Sequence, residues 1–536
     1  MERRRTPQPP PQKHYPIDGK DRVLLLLAWG LGVLLSEVLI LWFHHCGLIV
    51  PVLVGGWYGV LLWYRGLEGF TSRVNLVLFG AVCLLALSYG LFPNPWFRGW
   101  NALALPLLMT VQLFQWSDTP RYPWSSPVMV GERLLLLLEG LFTFGPSLQT
   151  VQSLSKCSHR RTAGVLAGLL VSVPLLLVAI SLLGTADAFF RYVIAGAVAW
   201  VVDHVTVWLL RLVLGLCAIP FLFGLLYILR RPQSRLERPA SKRAAVPFTL
   251  DPLPPATVLA MLDVLYSFFL AVQSAALFGG ASYLGRAGIS YAEYARSGFF
   301  QLVFVALFNL TVVLVCIHIS RPSGRSWQAV RVLASILVGL SGILLVSAAW
   351  RMSLYVGAYG LSFKRFLTYW GMVILAVFLA AALLKIWNAR FPFFSVIFMA
   401  SVIGWLLLNY CNVDIIVSQY NVSRFLRSGE TVLECSYLKN LSYNALGPLE
   451  HLPGNTVTGT GEPLSQLLSE GRERAAREAS DWRTWSVSAQ LAAGGLSSSS
   501  FQSAAGRCWG LVSQAEEGEV CTGQQTAILV CDLHHT

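Results

Sequence analysis

Charge is what this sequence has least of for its length. Only 12% of its 536 residues are Asp, Glu, Lys or Arg, about half the roughly 25% usual in soluble domains. A chain so poor in charge, 55% hydrophobic and with a mean hydropathy of +0.59, cannot cover itself with a solvated surface, which excludes a soluble globular domain or a wholly disordered chain. Metal and redox patterns are missing too. The ten cysteines contain no CxxC pair and no Cys/His metal spacing, and Cys83, Cys217, Cys316 and Cys411 lie in apolar runs, where cysteine acts as a small hydrophobe. His44, His45 and Cys46 are adjacent on a short turn and cannot easily converge on one ion. There is no GxSxG, no GxxxxGK[ST], no HExxH and no paired loop carboxylates. These absences leave no catalytic residue, metal or cofactor to assign, and no motif behind an enzymatic reading.

What is there is a series of apolar runs. A hydrocarbon core of about 30 Å requires roughly 20 apolar residues in a helix that satisfies its own backbone hydrogen bonds. Runs of that kind begin near Val23, Gly47, Val74, Asn101, Thr162, Trp208, Thr257, Phe299, Ala329, Phe366 and Phe393. The expectation is an all-α polytopic integral membrane protein with about eleven transmembrane helices, plus a small helical extramembrane domain at the C-terminal end. Two further apolar stretches, 128–148 and 188–208, carry Glu132, Arg133 and Glu139, and Arg191, Asp203 and His204; they can span, or lie in the interface as amphipathic helices.

Basic residues orient the chain. With eleven spans and the N-terminus inside, 24 Lys and Arg fall on inside segments and eight outside or at outer helix ends, as cytoplasmic loops require. The formal charge of +13 thus reports topology. Basic residues scattered over many short loops do not form the stripe that nucleic acid needs, so no nucleic-acid partner is expected. The partner implied directly is the lipid bilayer. Residues 1–22 read as a disordered basic arm ahead of a signal anchor, with no cleavable leader. Residues 23–229 form a first membrane half, 230–256 a basic, Pro-rich cytoplasmic linker, and 257–411 a second half. Residues 412–494 keep helical periodicity and read as an extracytoplasmic domain, and 495–536 as a low-complexity, disordered tail.

Between two apolar runs stands ISYAEYARSGFF, residues 289–300. Ser290 and Glu293 form the S-x-x-E capping pattern. Tyr291 and Tyr294 share one helical face suited to the headgroup layer, and Glu293 and Arg296 can pair at i,i+3. The cluster reads as a short outer interfacial helix turning into a span, or alternatively as a vestibule or docking surface. Ionisable or strongly polar groups inside spans are costly and invite a functional reading. Glu37 lies in the outer half of the first helix, Asp263 about two turns into the seventh, Gln273 ten residues further along it, and Asn309 and His318 in the eighth. Asp263, Gln273 and Glu37 are the candidates for a substrate or ion pathway; packing and interhelical hydrogen bonds are the alternative.

QSAALFGG at 273–280, the SYAEYAR segment, YVGAYGLSFKRF at 355–366, and NVDIIVSQYNVSRFL with YLKNLSYNALGPL from Asn412 occur in that order. Together they resemble a bacterial family of polytopic membrane proteins known only as a domain of unknown function (the 4153/4173 type). The resemblance covers roughly 160–490, with Ser290 and Ser362 standing where the family usually has Thr, and DWRTW at 481–485 resembling the end of the family's domain. It implies a multi-pass protein of the bacterial cytoplasmic membrane with its N-terminus cytoplasmic, and no activity. The first functional reading is a membrane scaffold or envelope-signalling component with a protein partner at its extracytoplasmic C-terminal domain. The alternative is a secondary transporter or channel for a small solute or ion.

Overall fold

Apolar runs that must satisfy their own backbone become helices, and helices dominate the computed structural model. It describes residues 15–41, 45–66, 72–116, 126, 128–155, 172, 179, 188–230, 250–278, 299–428, 432–433, 442–450, 452, 457–458 and 463–494. In chain order the helices are α1 (Gly19–Ile40), α2 (Ile49–Arg65), α3 (Arg73–Leu91), α4 (Pro95–Trp116), α5 (Val128–Leu141), α6 (Gly145–Ser155), α7 (Ala188–Arg230), α8 (Leu253–Phe278), α9 (Phe299–Ile319), α10 (Gly324–Tyr359), α11 (Phe363–Trp387), α12 (Phe393–Tyr410), α13 (Val413–Ser428), α14 (Leu446–Leu449), α15 (Leu464–Ser480) and α16 (Val487–Ala492). One two-residue parallel pairing, β1 (Val432–Leu433) with β2 (Val457–Thr458), is the extended structure named among them.

Eight of these helices are long and apolar enough to cross a membrane: α1, α3, α7 from Val207, α8, α9, α10, α11 and α12. The expected runs from Gly47 and Asn101 form α2, which has 17 residues, and α4, which carries Pro106 inside it. The run expected from Thr162 falls outside the described residues. The fold is an all-α, multi-pass membrane protein.

The first half is built on α1 packed antiparallel to α7. Gly32 and Gly215 let the backbones approach, since a Cβ on Gly32 would lie 2.5 Å from the Gly215 carbonyl oxygen. Small residues at a helix crossing serve this purpose in lipid, where packing rather than water drives association. Ion pairs pin both ends of the pair. At one end Arg230 reaches Asp18 at 3.3 Å and Asp21 at 3.6 Å, and its guanidinium lies 4.7 Å over the Tyr64 ring. At the other, Arg211 meets Glu37 at 2.6 Å. Asp21 to Glu37 is about 24 Å along a helix and Arg211 to Arg230 about 28 Å, close to the hydrocarbon thickness.

Several boundaries differ from the reading above. α1 begins at Gly19 and buries Asp21 completely, so the arm stops short of residue 22; the Tyr64 hydroxyl donates to Asp21 and holds it in the helical bundle. The 128–148 stretch is neither one span nor one interfacial helix. It is α5 and the start of α6, of 14 and 11 residues, about 21 and 17 Å long and too short to cross, packed on the Arg230 end of α7. There Gly140 fits against Leu225, and Gly224 lies 2.6 Å from the Gly140 and Thr143 carbonyls by its would-be Cβ. Residues 188–208 continue directly into the span as one 43-residue helix.

The second core gathers α8, α9, α10 and α11 around Leu259, Ala306, Leu337, Ala348 and Leu379. Leu250 bridges to Ser320 beside it, with Leu250 N–H donating to Ile319 O at 2.7 Å and Arg321 N–H to Leu250 O at 3.1 Å. Helix α12 joins the halves: Phe394, Phe398, Met399 and Val402 pack on the first core, and the Trp405 indole donates to Asn101 at 2.8 Å while Asn101 donates to Asn409 at 2.7 Å. The tail helices form a third core around Leu446, Leu449, Leu464 and Leu467. They sit on the Glu37 end of the first half, away from Asp18 and Asp21.

Candidate functional site

Helix α8 shows why Asp263 points inward. Six of its buried or half-buried positions, Ala256, Leu259, Asp263, Tyr266, Leu270 and Gln273, follow a 3-4-3-4-3 spacing, which is one helical face. The opposite face is bare: Met261, Val264 and Phe268 are each 70% exposed, as suits contact with lipid. The same polar residues therefore share the stripe that faces α9 and α10.

On that seam polar groups recur at successive depths. Asn309 of α9 is fully buried and donates to Ser341 of α10 at 3.0 Å. Gln273 donates to Ser347 at 2.5 Å. Asp263 is 7% exposed, and neither carboxylate oxygen has a hydrogen-bond partner among the described residues; the amide oxygens of Asn309 and Gln273 are also unbonded. A cavity of about 470 Å³ opens beside the column, lined by Tyr266, Gln301, Leu302, Val305, Leu344 and Arg351. Asp263 lies ten residues into α8, about 15 Å from its start, near the middle of a hydrocarbon core.

Glu37 does not belong to this site. It is in the other half, and it accepts from Arg483 at 2.9 Å while pairing with Arg211. Arg483 in turn grips Asp481, with its Nε at 3.0 Å from both carboxylate oxygens and Nη2 at 2.6 Å from Oδ2. These bonds hold the Asp481 carboxyl below its ordinary range and the Arg483 guanidinium above its own. Backbone bonds complete the grip: Gly47 N–H donates to Arg483 O at 2.8 Å, Leu48 N–H to Trp485 O at 3.0 Å, and the Ser488 hydroxyl to Leu91 O at 2.8 Å. The string DWRTW thus clamps the tail to its own membrane half, with Trp482 left 51% exposed.

Two more contacts deepen the clamp. Arg98, 2% exposed, lies 4.0 Å from Glu478, which accepts from the Tyr443 hydroxyl at 2.9 Å. Burial first, then the Glu478 charge, pushes the Tyr443 phenol up. Asp414, 2% exposed, accepts from Asn94 at 2.8 Å and from the Ser442 hydroxyl and N–H. Burial raises its carboxyl, against the lowering effect of those donors.

Ser290, Tyr291, Glu293, Tyr294 and Arg296 lie outside the described residues. Asp263 and Gln273 come together on one face, joined by Asn309. Ser341 and Ser347 escaped the sequence reading because a serine in an apolar helix carries little signal; Arg211 and Arg483 escaped as partners of Glu37 because both are remote from it in the chain, Arg483 by 446 positions. No group of three His, Cys, Asp or Glu that could hold a metal ion occurs among the described residues.

No curated protein and no solved structure matches the chain. A family model does match, over residues 79–452. The match begins earlier than the resemblance read from the sequence and ends before DWRTW, so the clamp string lies beyond it, while the whole Asp263 column lies inside. On that match, the chain belongs to the family described as Domain of unknown function (DUF4153).

Proposed function

We propose that this integral membrane protein passes a small solute or ion across the bilayer through its second helical half, with Asp263 as the working ionisable group. One observation carries the reading. Four carboxylates are buried among the described residues: Asp21, Glu37, Asp263 and Asp414. Three have partners, Asp21 in Tyr64 and Arg230, Glu37 in Arg211 and Arg483, and Asp414, through Oδ2 alone, in Asn94 and Ser442. Asp263 alone of the four has both oxygens unbonded, and it is the one nearest mid-membrane, where an acidic residue costs about 2.5–3.5 kcal/mol on insertion scales. A residue kept for packing or helix pairing would have a partner, as the other three do. A residue kept for changing its partner during a cycle would not.

The reading places the protein in the cell membrane with its N-terminus cytoplasmic, as the excess of basic residues on one set of loops supports. The scaffold reading rests on a different feature, the exposed Trp482 on a tail clamped to the membrane helices. The two separate in one comparison. Asp263→Asn is expected to abolish the growth phenotype or solute flux that depends on the protein, while Trp482→Ala leaves it within about twofold; a docking role gives the reverse order.

A further inference from the structure

We infer that the ion bound at Asp263 is the proton, an inference that rests on the permeation reading above and deepens it. The geometry decides between a proton and a metal cation. A hard cation needs about six oxygen ligands, drawn from carboxylates, carbonyls and waters, and membrane sites for Na⁺ find theirs where a helix unwinds and frees its backbone carbonyls. Helices α8, α9 and α10 run unbroken past Asp263, so their carbonyls at that depth are taken by the helices themselves. Among the described residues no second buried carboxylate stands on the seam: the other three belong to α1 and α13. The hydrogen-bonding groups described along that seam are neutral and one-toothed, amides and hydroxyls.

The titratable and charged groups on the packed elements are few. They are Tyr266 on α8 itself, Cys316 and His318 toward the end of α9, and Arg325, Arg331, Arg351, Tyr355 and Tyr359 on α10. Arg331 is engaged with the Ile386 and Trp387 carbonyls at 3.1 and 3.2 Å and stacks 4.3 Å over the Trp387 ring. None of them hydrogen-bonds or ion-pairs with Asp263. A carboxylate in such a place lowers its own free energy by taking a proton, since no counter-charge among the described residues pairs with the ionised form. Loading adds one proton, delivered on water, to a carboxylate oxygen and leaves a neutral carboxyl and a water molecule; unloading is the reverse, and no other reactant enters. The unbonded amide oxygens of Asn309 and Gln273, farther along the same seam, are acceptors for water or a hydrogen-bonding solute on the way to the tail end.

The test uses the full chain in liposomes and the apolar reagent dicyclohexylcarbodiimide, which adds to protonated carboxyls in hydrocarbon, with the adduct located by peptide mass. Labelling of Asp263 is expected at low pH, falling about tenfold per pH unit once the group ionises, and unchanged by Na⁺, K⁺, Mg²⁺ or Ca²⁺. Protection by one of those cations overturns the proton assignment and leaves ion permeation standing. Labelling that is constant across pH also overturns it, because a carboxyl that never releases its proton carries nothing. If labelling titrates as expected while Asp263→Asn leaves flux or phenotype intact, the proton site stands and the permeation reading falls.

Discussion

At the scale of single residues, the buried acids divide by what surrounds them, and each makes its own prediction. Asp414 is enclosed and hydrogen-bonded only through Oδ2, and burial raises its carboxyl. An acid raised by folding contributes stability that is full below its unfolded value, near 3.9, and is lost as pH rises through the folded one. Asp414→Asn keeps the acceptor for Asn94 and Ser442 and is expected to cost about 1 kcal/mol, whereas Asp414→Ala strands both donors and costs about 3 kcal/mol, read as thermal midpoints in detergent. Asp481 has the opposite sign. Its carboxyl is lowered first by the Arg483 hydrogen bonds, so its contribution is present above the unfolded value and lost as pH falls through the folded one. Arg483→Met should therefore destabilise by about 2 kcal/mol at neutral pH. That gap should hold steady upward from about pH 5 and close only in stronger acid.

Among the elements, glycine contacts give the sharpest forecasts. Gly32 and Gly30 are both on α1, yet only Gly32 meets a neighbour, whereas Gly30 has open space. Gly32→Leu should split α1 from α7 and cost 2 kcal/mol or more, roughly the cost of overpacking a core, while Gly30→Ala should be neutral or stabilising by up to about 1 kcal/mol. Gly47 lies under the Thr484 and Trp485 carbonyls, so Gly47→Ala is expected to lift the tail and quicken its cleavage by protease, with α1 and α7 unaffected. The helices themselves were largely legible, because a run of apolar residues leaves the backbone no other way to satisfy itself. Where they break or continue was not. The bend at 142–144 depends on how Gly140 meets Leu225 and how the Gly140 and Thr143 carbonyls meet Gly224 of α7, and α12 serves the first core through aromatic contacts that no local pattern reveals. For the site, Asp263 and Gln273 stood out as polar residues in an apolar run, but the inward stripe they share did not, because the exposed face of α8 is apolar as well. The satisfied state of Glu37 was not legible either, because Arg483 lies 446 positions away in the chain.

For the whole molecule, the two ionic pins define its orientation. The Asp18, Asp21 and Arg230 group and the Glu37, Arg211 and Arg483 group close opposite ends of α1 and of the Val207–Arg230 span of α7, separated by about 24–28 Å of helix, so charges that cannot rest in hydrocarbon come to lie at its two faces. Around the first pin gather Tyr15, whose N–H donates to Gln149 of α6 at 3.0 Å, and Tyr227, which donates to Pro16 O at 3.0 Å. Around the second gathers the clamped tail. Ser155, at the end of α6, and Gly494, just past α16, must then face different compartments. Reporter fusions ended after these two residues are expected to give opposite signals, with Gly494 outside if the excess of basic residues keeps the N-terminus in the cytoplasm. Matching signals would mean that the two pins do not straddle a bilayer. The tail would then be held on the side of the N-terminus, and the mid-membrane depth assigned to Asp263 would lose its frame.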